Sequence, residues 1–226
     1  MKEEFERTAL MFGEDGVERL KSARVALFGL GGVGGHCAEA LARAGIGNLT
    51  LIDGDVISLS NLNRQIIALH SDAGEYKGDA FRKRIADINP DCNVTVINEF
   101  FTEESDFDFS GFDYVIDAID SVKDKIELIC RAKGAGVPVI SAMGAGNKVD
   151  PSRFEVADIS KTSVCPLAKA VRVKLRQRGI EHLKVVYSKE EPFHSGSVVG
   201  SNSFTPGVMG MIMAGEVIKE VIRGTV

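Results

Sequence analysis

The stretch that decides the fold is Arg24-Val25-Ala26-Leu27-Phe28-Gly29-Leu30-Gly31-Gly32-Val33-Gly34, near the start of the chain. An apolar run precedes the glycines, and Ala38, Leu41 and Ala42 follow them at helical spacing. This order predicts a strand, a glycine turn and a helix. Glycines let the backbone approach a phosphate, and the helix N-terminus presents free N–H groups to that anion. The motif therefore predicts a nucleotide site with four glycines at the ligand, namely Gly29, Gly31, Gly32 and Gly34.

Further short apolar runs alternate with helical patterns along the chain. The apolar runs predict strands at 49–52, 94–97, 114–119, 137–141 and 154–159. The helical patterns lie around 81–88, 122–133, 166–178 and 207–222. Short strands that alternate with helices are typical of a parallel sheet covered on both faces. The predicted fold class is α/β, a Rossmann-like, doubly wound and mostly parallel sheet.

The length of 226 residues suits one domain. The chain has no linker rich in Pro, Gly or Ser and no internal repeat. We therefore expect a single domain over 1–226, in which 1–150 form a nucleotide-binding core. In the same interpretation, 151–226 form a C-terminal elaboration that faces the substrate and a dimer partner.

Composition excludes several classes of protein. With 44% hydrophobic residues and 26% charged residues the chain is too apolar for disorder, and a net charge of −5 argues against a general basic coat. The spacing of the four cysteines fits neither a zinc knuckle nor a disulfide framework. The N-terminal residues 1–13 lack an apolar core of the length that a signal peptide needs, and no uninterrupted apolar run approaches a membrane span. These observations predict a cytoplasmic protein with reduced thiols and no membrane contact.

A polar segment after the second strand carries candidate ligand-binding residues. Asp53 ends that strand, where an acidic residue accepts hydrogen bonds from ribose hydroxyls. This feature fits NAD as well as ATP, so a dehydrogenase remains an alternative at this point. The loop then delivers Arg64 and Lys77 beside the glycine turn. Two cations there suit a triphosphate whose charge must be neutralised as pyrophosphate leaves.

The chain resembles the ubiquitin-activating-enzyme-like (ThiF/MoeB/HesA) adenylating superfamily. The residues that carry this resemblance are the segment from Asp53 to Gln65, Lys77, and the run from Val115 to Asp120. The resemblance implies ATP and Mg²⁺ as cofactors. It implies that Arg64 and Lys77 contact the phosphates and that Asp120 binds magnesium, all three acting in catalysis. It also implies further contacts to the nucleotide from Asp53, Asp55, Asn61 and Ser121.

Segments of the second half make the resemblance narrower. The chain resembles the tRNA-modifying branch of that superfamily over about 5–222. The segments that carry this resemblance are Arg7-Thr8-Ala9 and the stretches 141–146, 161–168, 186–192 and 200–206. The resemblance implies that ATP adenylates the carboxylate of a threonylcarbamoyl group on a tRNA adenosine. An internal nitrogen then closes a ring with loss of AMP. It further implies a homodimer, in which Arg7 reaches the nucleotide of the neighbouring subunit and acts in catalysis.

Local charge supports an RNA substrate. Between Lys161 and Lys189 there are eight basic residues and one acid, a local charge of +7, which leaves −12 on the rest of the chain. Within the predicted helix, the apolar positions fall on one side and the basic positions on the other. The predicted RNA-contacting residues are Lys169, Arg172 and Arg176. The alternative is a merely solvated helix face.

Two other functions remain open alternatives. An activator of a ubiquitin-like sulfur carrier is one, although the C-x-x-C pairs of such proteins are absent. A nucleotide-binding scaffold for a cysteine-desulfurase partner is the other. Cys165 precedes Pro166 at a predicted helix start, a position typical of reactive cysteines, but the implied chemistry does not require a nucleophilic cysteine. We also consider the loop 188–197, with Glu190, Glu191 and His194, as a mobile lid.

Overall fold

Seven strands form one sheet at the centre of the protein. The computed structural model describes residues 3–193 and 198–224. In chain order the strands are β1 (Arg24–Phe28), β2 (Asn48–Ile52), β3 (Asn93–Ile97), β4 (Tyr114–Asp117), β5 (Val139–Ala142), β6 (Phe154–Asp158) and β7 (Lys184–Ser188). Their order across the sheet is β3-β2-β1-β4-β5-β7-β6. All neighbours are parallel except β6 and β7, which are antiparallel. The predicted fold class is confirmed.

Helices cover both faces of this sheet. The helices are α1 (Glu6–Ser22), α2 (Gly34–Ala44), α3 (Lys77–Ile88), α4 (Val122–Gly134), α5 (Pro166–Gln177) and α6 (Thr205–Arg223). One apolar cluster joins α1, α2, α3 and α6 to the sheet, and a second joins α4 and α5 to its other face. Strand β1 shows the alternation directly, because Val25 and Leu27 belong to the first cluster and Ala26 and Phe28 to the second.

Helix α6 lies against α2 with unusually close backbones. A Cβ atom on Gly210 would lie 2.2 Å from the carbonyl oxygen of Val33, and one on Gly207 would lie 3.0 Å from the ring of His36. Only glycine therefore allows the C-terminal helix to approach the first turn of α2. Helix α6 thus supports the glycine turn.

The sequence missed two elements, α1 and β7. Helix α1 is interrupted at Gly13, whose φ of 76° is not helical, so no continuous helical pattern marks it. Strand β7 contains the stretch before the predicted loop, and Ser188 is its buried last residue rather than the start of a loop. Strands β6 and β7 extend the sheet beyond residue 150, while the functional division at that residue stays a prediction. No helix in the described part of the chain is long and apolar enough to cross a membrane.

Candidate functional site

A cleft of about 980 Å³ lies at the carboxyl ends of β1, β2, β4 and β5. The glycine turn follows β1, Asp53 follows β2 and Asp120 follows β4, and all three line the cleft. The chain runs outward from β1 through β2 to β3, then crosses to β4 on the other side of β1. The cleft therefore lies at the topological switch point, where open α/β sheets bind ligands.

The glycine turn is built by close backbone approaches. Gly29 has a φ of 88°, and a Cβ atom there would lie 2.6 Å from the carbonyl oxygen of Ala118. A Cβ atom on Gly34 would lie 1.8 Å from the carbonyl oxygen of Gly29. Gly29, Gly31 and Gly32 also line the cleft, so bare backbone and the start of α2 face the space where an anion would bind.

Asp53 fixes the glycine turn to the second strand. Its Oδ2 accepts a hydrogen bond from the backbone N–H of Leu30 at 2.6 Å, and its Oδ1 accepts one from Asp55 at 2.8 Å. Burial raises the pKa of Asp53 above its ordinary value, an effect that the nearby Lys77 opposes. The carboxylate therefore holds the turn in place as well as facing the cleft, a role that the sequence did not predict.

Lys77 and Arg64 both line the cleft, as the sequence predicts. Lys77 is only 3% exposed, and its Nζ lies 2.6 Å from Oδ2 of Asp55 and 3.8 Å from Oδ1 of Asp53. The guanidinium of Arg64 donates hydrogen bonds to Ser60 and Asn63, within its own loop. The two cations are thus positioned by neighbours before any ligand binds.

Asn61 has a structural task in the same loop. It is buried in the short 3₁₀ turn Leu59–Asn61, and its Oδ1 accepts a hydrogen bond from the backbone of Ser58 at 3.0 Å. This bond closes a capping box that shapes the loop bearing Arg64. Asn61 also lines the cleft beside Arg64.

Asp120 and Ser121 lie between β4 and α4. Asp120 is exposed, and the hydroxyl of Ser121 caps α4 by accepting a hydrogen bond from the N–H of Asp124. The described residues contain no group of three or more ligating side chains. Mg²⁺ is usually held by one or two carboxylates together with phosphate oxygens and water. Asp120, with Asp124 nearby on the same wall of the cleft, fits that donor set.

A buried ionic cluster behind Asp120 was not found from the sequence. The Nζ of Lys125 donates to Oδ2 of Asp117 at 2.7 Å, and the hydroxyl of Ser141 donates to the same oxygen at 2.5 Å. All three side chains are fully buried. The remaining oxygen of Asp117 accepts a hydrogen bond from the N–H of Ile119, in the loop that carries Asp120. A lysine among the apolar positions of α4 is the one sequence signal that could have revealed this cluster.

The far half of the cleft is formed by residues after β5 and by the starts of α5 and α6. Cys165 is the N-cap of α5, as predicted, and its Sγ accepts a hydrogen bond from the N–H of Ala168. It is buried and lines the cleft. The preceding Val164 has a φ of 63°, a strained conformation for a β-branched residue. A nucleophilic role of Cys165 stays a hypothesis.

The other three cysteines have thiols that burial makes less acidic. Burial raises the pKa of Cys92 to about 11 and raises the pKa values of Cys37 and Cys130 as well. These thiols are protonated at neutral pH.

The predicted RNA-contacting residues do not all face outward. Lys169 and Arg176 are exposed on α5. Arg172, in contrast, donates hydrogen bonds from its Nη1 to the carbonyl oxygen of Ile159 and to the hydroxyl of Thr162. The expectation that all three lie on a free face is therefore wrong for Arg172, which ties α5 to the turn before it.

The basic residues between Lys161 and Lys189 differ in whether they form ion pairs. Arg178, Lys184 and Lys189 are each within 4.0 Å of a glutamate. Four exposed cations form no ion pair with any described residue, namely Lys161, Lys169, Lys174 and Arg176. A local excess of positive charge therefore remains on this surface.

Arg7 and the described residues of the predicted lid differ in how they relate to the cleft. Arg7 is exposed on α1 and does not line the cleft of its own chain. The segment considered as a lid begins with anchored residues, since the carboxylate of Glu190 accepts hydrogen bonds from the N–H groups of Val149 and Asp150. His194 lies outside the described residues.

Fold and cleft together define an α/β protein of the nucleotide-binding type, with a glycine turn and two positioned cations lining the cleft. The family model described as the ThiF family matches residues 5–224, and the chain belongs to this family.

Several relatives cover nearly the whole chain. It is 43% identical to the tRNA threonylcarbamoyladenosine dehydratase of Bacillus subtilis (strain 168), over 99% of this chain and 96% of that protein. The crystal structure of the Escherichia coli dehydratase in complex with ATP superimposes with a TM-score of 0.91 at 34% identity, covering 98% of this chain and 95% of that one. The molybdopterin-synthase adenylyltransferase of Escherichia coli (strain K12) is 41% identical, but over only 58% of this chain and 53% of that protein. The similarity to the dehydratases thus extends over both halves of the cleft.

Proposed function

We propose that the chain is an ATP-dependent enzyme that dehydrates threonylcarbamoyladenosine in tRNA to its cyclic form. The observation that carries the proposal is a single cleft with two halves. The near half is formed by the glycine turn, Arg64 and Lys77, and the far half has room for a second substrate. Likeness to the Bacillus subtilis dehydratase over 99% of the chain supports the choice of substrate.

The near half is built to hold ATP. The phosphates lie at the glycine turn and the start of α2, and the adenine side is bounded by an apolar wall that includes Phe28, Ile52 and Phe101. Arg64 and Lys77 neutralise the charge that develops as pyrophosphate leaves. Asp120, together with phosphate oxygens, would hold Mg²⁺, which would supply further neutralisation of that charge.

The reaction converts a poor electrophile into a reactive one. An oxygen of the substrate carboxylate bonds to the α-phosphorus of ATP, and the bond from that phosphorus to the β-phosphate oxygen breaks. A nitrogen of the same threonylcarbamoyladenosine then bonds to the adenylated carbonyl carbon, loses its proton, and AMP leaves with the former carboxylate oxygen. The substrate has lost one water overall.

The substrate is bound as part of tRNA. The unpaired cations Lys161, Lys169, Lys174 and Arg176 supply phosphate contacts near the far half of the cleft, because α5 begins at that half and carries three of them. We place the reaction in the cytoplasm, where tRNA and ATP are both present.

The active form we propose is a homodimer. Leu10 and Met11 are 88% and 77% exposed on α1, one turn beyond Arg7. Exposed apolar side chains of this size mark a surface that a partner covers. We propose that a second copy packs on α1 and that Arg7 contacts the nucleotide of this neighbour, as the family resemblance implies.

The deciding experiment mixes the purified protein, ATP and magnesium with tRNA from cells that lack the activity, followed by nucleoside mass spectrometry. The expected result is loss of one water from threonylcarbamoyladenosine, with release of AMP and pyrophosphate. The Arg64→Ala and Asp120→Ala variants should lose this conversion. A scaffold for a cysteine-desulfurase partner would instead keep its biological effect in both variants. An unchanged nucleoside, combined with pyrophosphate exchange driven by a sulfur-carrier protein, would contradict the proposal.

A further inference from the structure

The far half of the cleft differs from the near half in the charges that line it. Charges of both signs line the near half, including Asp53 and Glu99 as well as Arg64 and Lys77. Among the described residues that line the far half, none is acidic and Lys148 is the single charged one. The far half is therefore suited to an anion.

Lys148 is a buried cation without an anionic partner. It is 4% exposed, and its Nζ donates a hydrogen bond to the backbone carbonyl of Glu190. No described carboxylate lies within 4.0 Å of it. The buried Lys77 and Lys125, in contrast, each have an aspartate within 2.7 Å. The nearby carboxylate of Glu190 binds backbone N–H groups instead. A buried ammonium without a counter-charge carries a large desolvation cost, which a bound anion offsets.

The backbone around Lys148 is held rigidly. Its carbonyl oxygen accepts hydrogen bonds from Nδ2 of Asn202 at 2.7 Å and from the hydroxyl of Thr205 at 3.1 Å. The preceding Asn147 exchanges two hydrogen bonds with Gly200. Lysine is therefore presented to the cleft by a fixed scaffold rather than by a loose loop.

Two helix N-termini add to the positive potential. Helix α5 begins at Pro166 and α6 begins at Thr205, and Pro166 and Pro206 line the far half of the cleft. Both helices are longer than eight residues, so each presents the positive end of a helix dipole. Buried lysine and helix termini thus favour an anion in the same space.

We propose that Lys148 binds the carboxylate of the second substrate in the far half of the cleft and orients it toward the α-phosphate. This inference rests on the proposed function, which makes that carboxylate belong to a threonylcarbamoyl group. The contact is made to the free carboxylate, whose charge is lost on adenylation. Removing the ammonium should therefore raise the KM for tRNA more than it lowers kcat.

The test compares two anticodon stem-loop RNAs, one with threonylcarbamoyladenosine and one with plain adenosine, bound in the presence of α,β-methylene ATP. The wild-type protein should bind the modified RNA roughly 10- to 100-fold more tightly, the range for a charged hydrogen bond. In Lys148→Met this preference should fall to within about two-fold, since binding to phosphates alone is sequence-independent. Affinity for ATP should be unchanged, and Lys133→Met, at an exposed lysine of α4, should behave as wild type.

A second variant separates charge from structure. Lys148→Gln keeps a donor for the carbonyl of Glu190 but has no charge. Loss of the preference in both variants supports the inference. Recovery of the preference in Lys148→Gln, or its persistence in Lys148→Met, overturns it. Failure of the wild-type protein to convert the modified nucleoside would instead count against the proposed function.

Discussion

The ammonium of Lys125 lies 2.7 Å from Oδ2 of Asp117, and neither side chain has any exposed surface. Since the other oxygen of Asp117 binds the N–H of Ile119, this ion pair joins the interior of the sheet to the loop that carries Asp120. The position of the candidate magnesium ligand therefore depends on a pair of charges that no ligand touches.

Breaking this pair should be costly. Lys125→Met leaves the Asp117 carboxylate buried without its cation, and we expect the free energy of unfolding to fall by about 3–5 kcal/mol. Urea denaturation measures the change. The matched control is Lys123→Met on the same helix, whose ion pair with Glu103 is largely exposed and should contribute less than about 1 kcal/mol. Equal effects of the two variants would contradict the role assigned to the buried pair.

Substitution in the glycine turn should impair ATP binding. In Gly34→Ala, the new Cβ would lie 1.8 Å from the carbonyl of Gly29, so the turn must shift. Overpacking of this kind costs about 1–3 kcal/mol of stability, and we expect ATP affinity to fall as well. Gly215→Ala in α6 is the control, because nothing lies within 4 Å of its Cβ position. That variant should gain up to about 1 kcal/mol and bind ATP normally.

Substitution of Lys77 should weaken ATP binding, whereas substitution of Lys83, further along α3, should not. Lys77→Met removes a cleft cation, and we expect the Kd for ATP, measured by calorimetry, to rise roughly 10- to 100-fold. Lys83→Met removes an exposed cation on the same helix that does not line the cleft. ATP binding that is equally insensitive to both substitutions would argue against phosphate contact by Lys77.

Glu39 should make the protein sensitive to acid. Burial by itself raises its pKa, but ion pairs with Arg84 and Arg43 outweigh that effect and hold the pKa of Glu39 below its ordinary value. The unfolded chain therefore binds the proton more readily. The stability from these ion pairs is present above about pH 4.5 and is lost as the pH falls through the lower pKa of the folded state.

Unfolding measured between pH 7 and pH 3 checks this expectation. Glu39→Gln should be less stable than wild type at pH 7 and should lose less stability on acidification. The exposed Glu191→Gln should follow the wild-type curve. A Glu39→Gln profile parallel to wild type would show that the pKa of Glu39 is not shifted.

Charge reversal on α5 should weaken binding to tRNA. The double variant Lys169→Glu/Arg176→Glu removes two unpaired cations, and the slope of log K against log salt should decrease by about 2. Arg172→Gln should mainly lower stability, because its guanidinium binds the turn around Thr162. An unchanged salt slope in the double variant would place the RNA on another surface.

Local sequence signals predicted the site residues that lie in loops directly after strands. The glycine turn, Asp53 and Asp120 each follow an apolar run that predicts a strand. Because the carboxyl ends of parallel strands lie at one edge of the sheet, these residues are expected to lie close together. Lys125 and Lys148 were not predicted because the burial of a charge depends on how separate elements pack together. Lys125 pairs with a residue of another element, and Lys148 binds the carbonyl of Glu190, 42 residues away.

The close packing of Gly207 and Gly210 on the start of α2 has a consequence for biosynthesis. Residues 24–34 are synthesised well before α6, yet the surface that supports their turn is supplied by α6. The nucleotide site therefore cannot form until α6 has been synthesised, and a chain that stops before α6 would carry the complete glycine motif without a formed binding site.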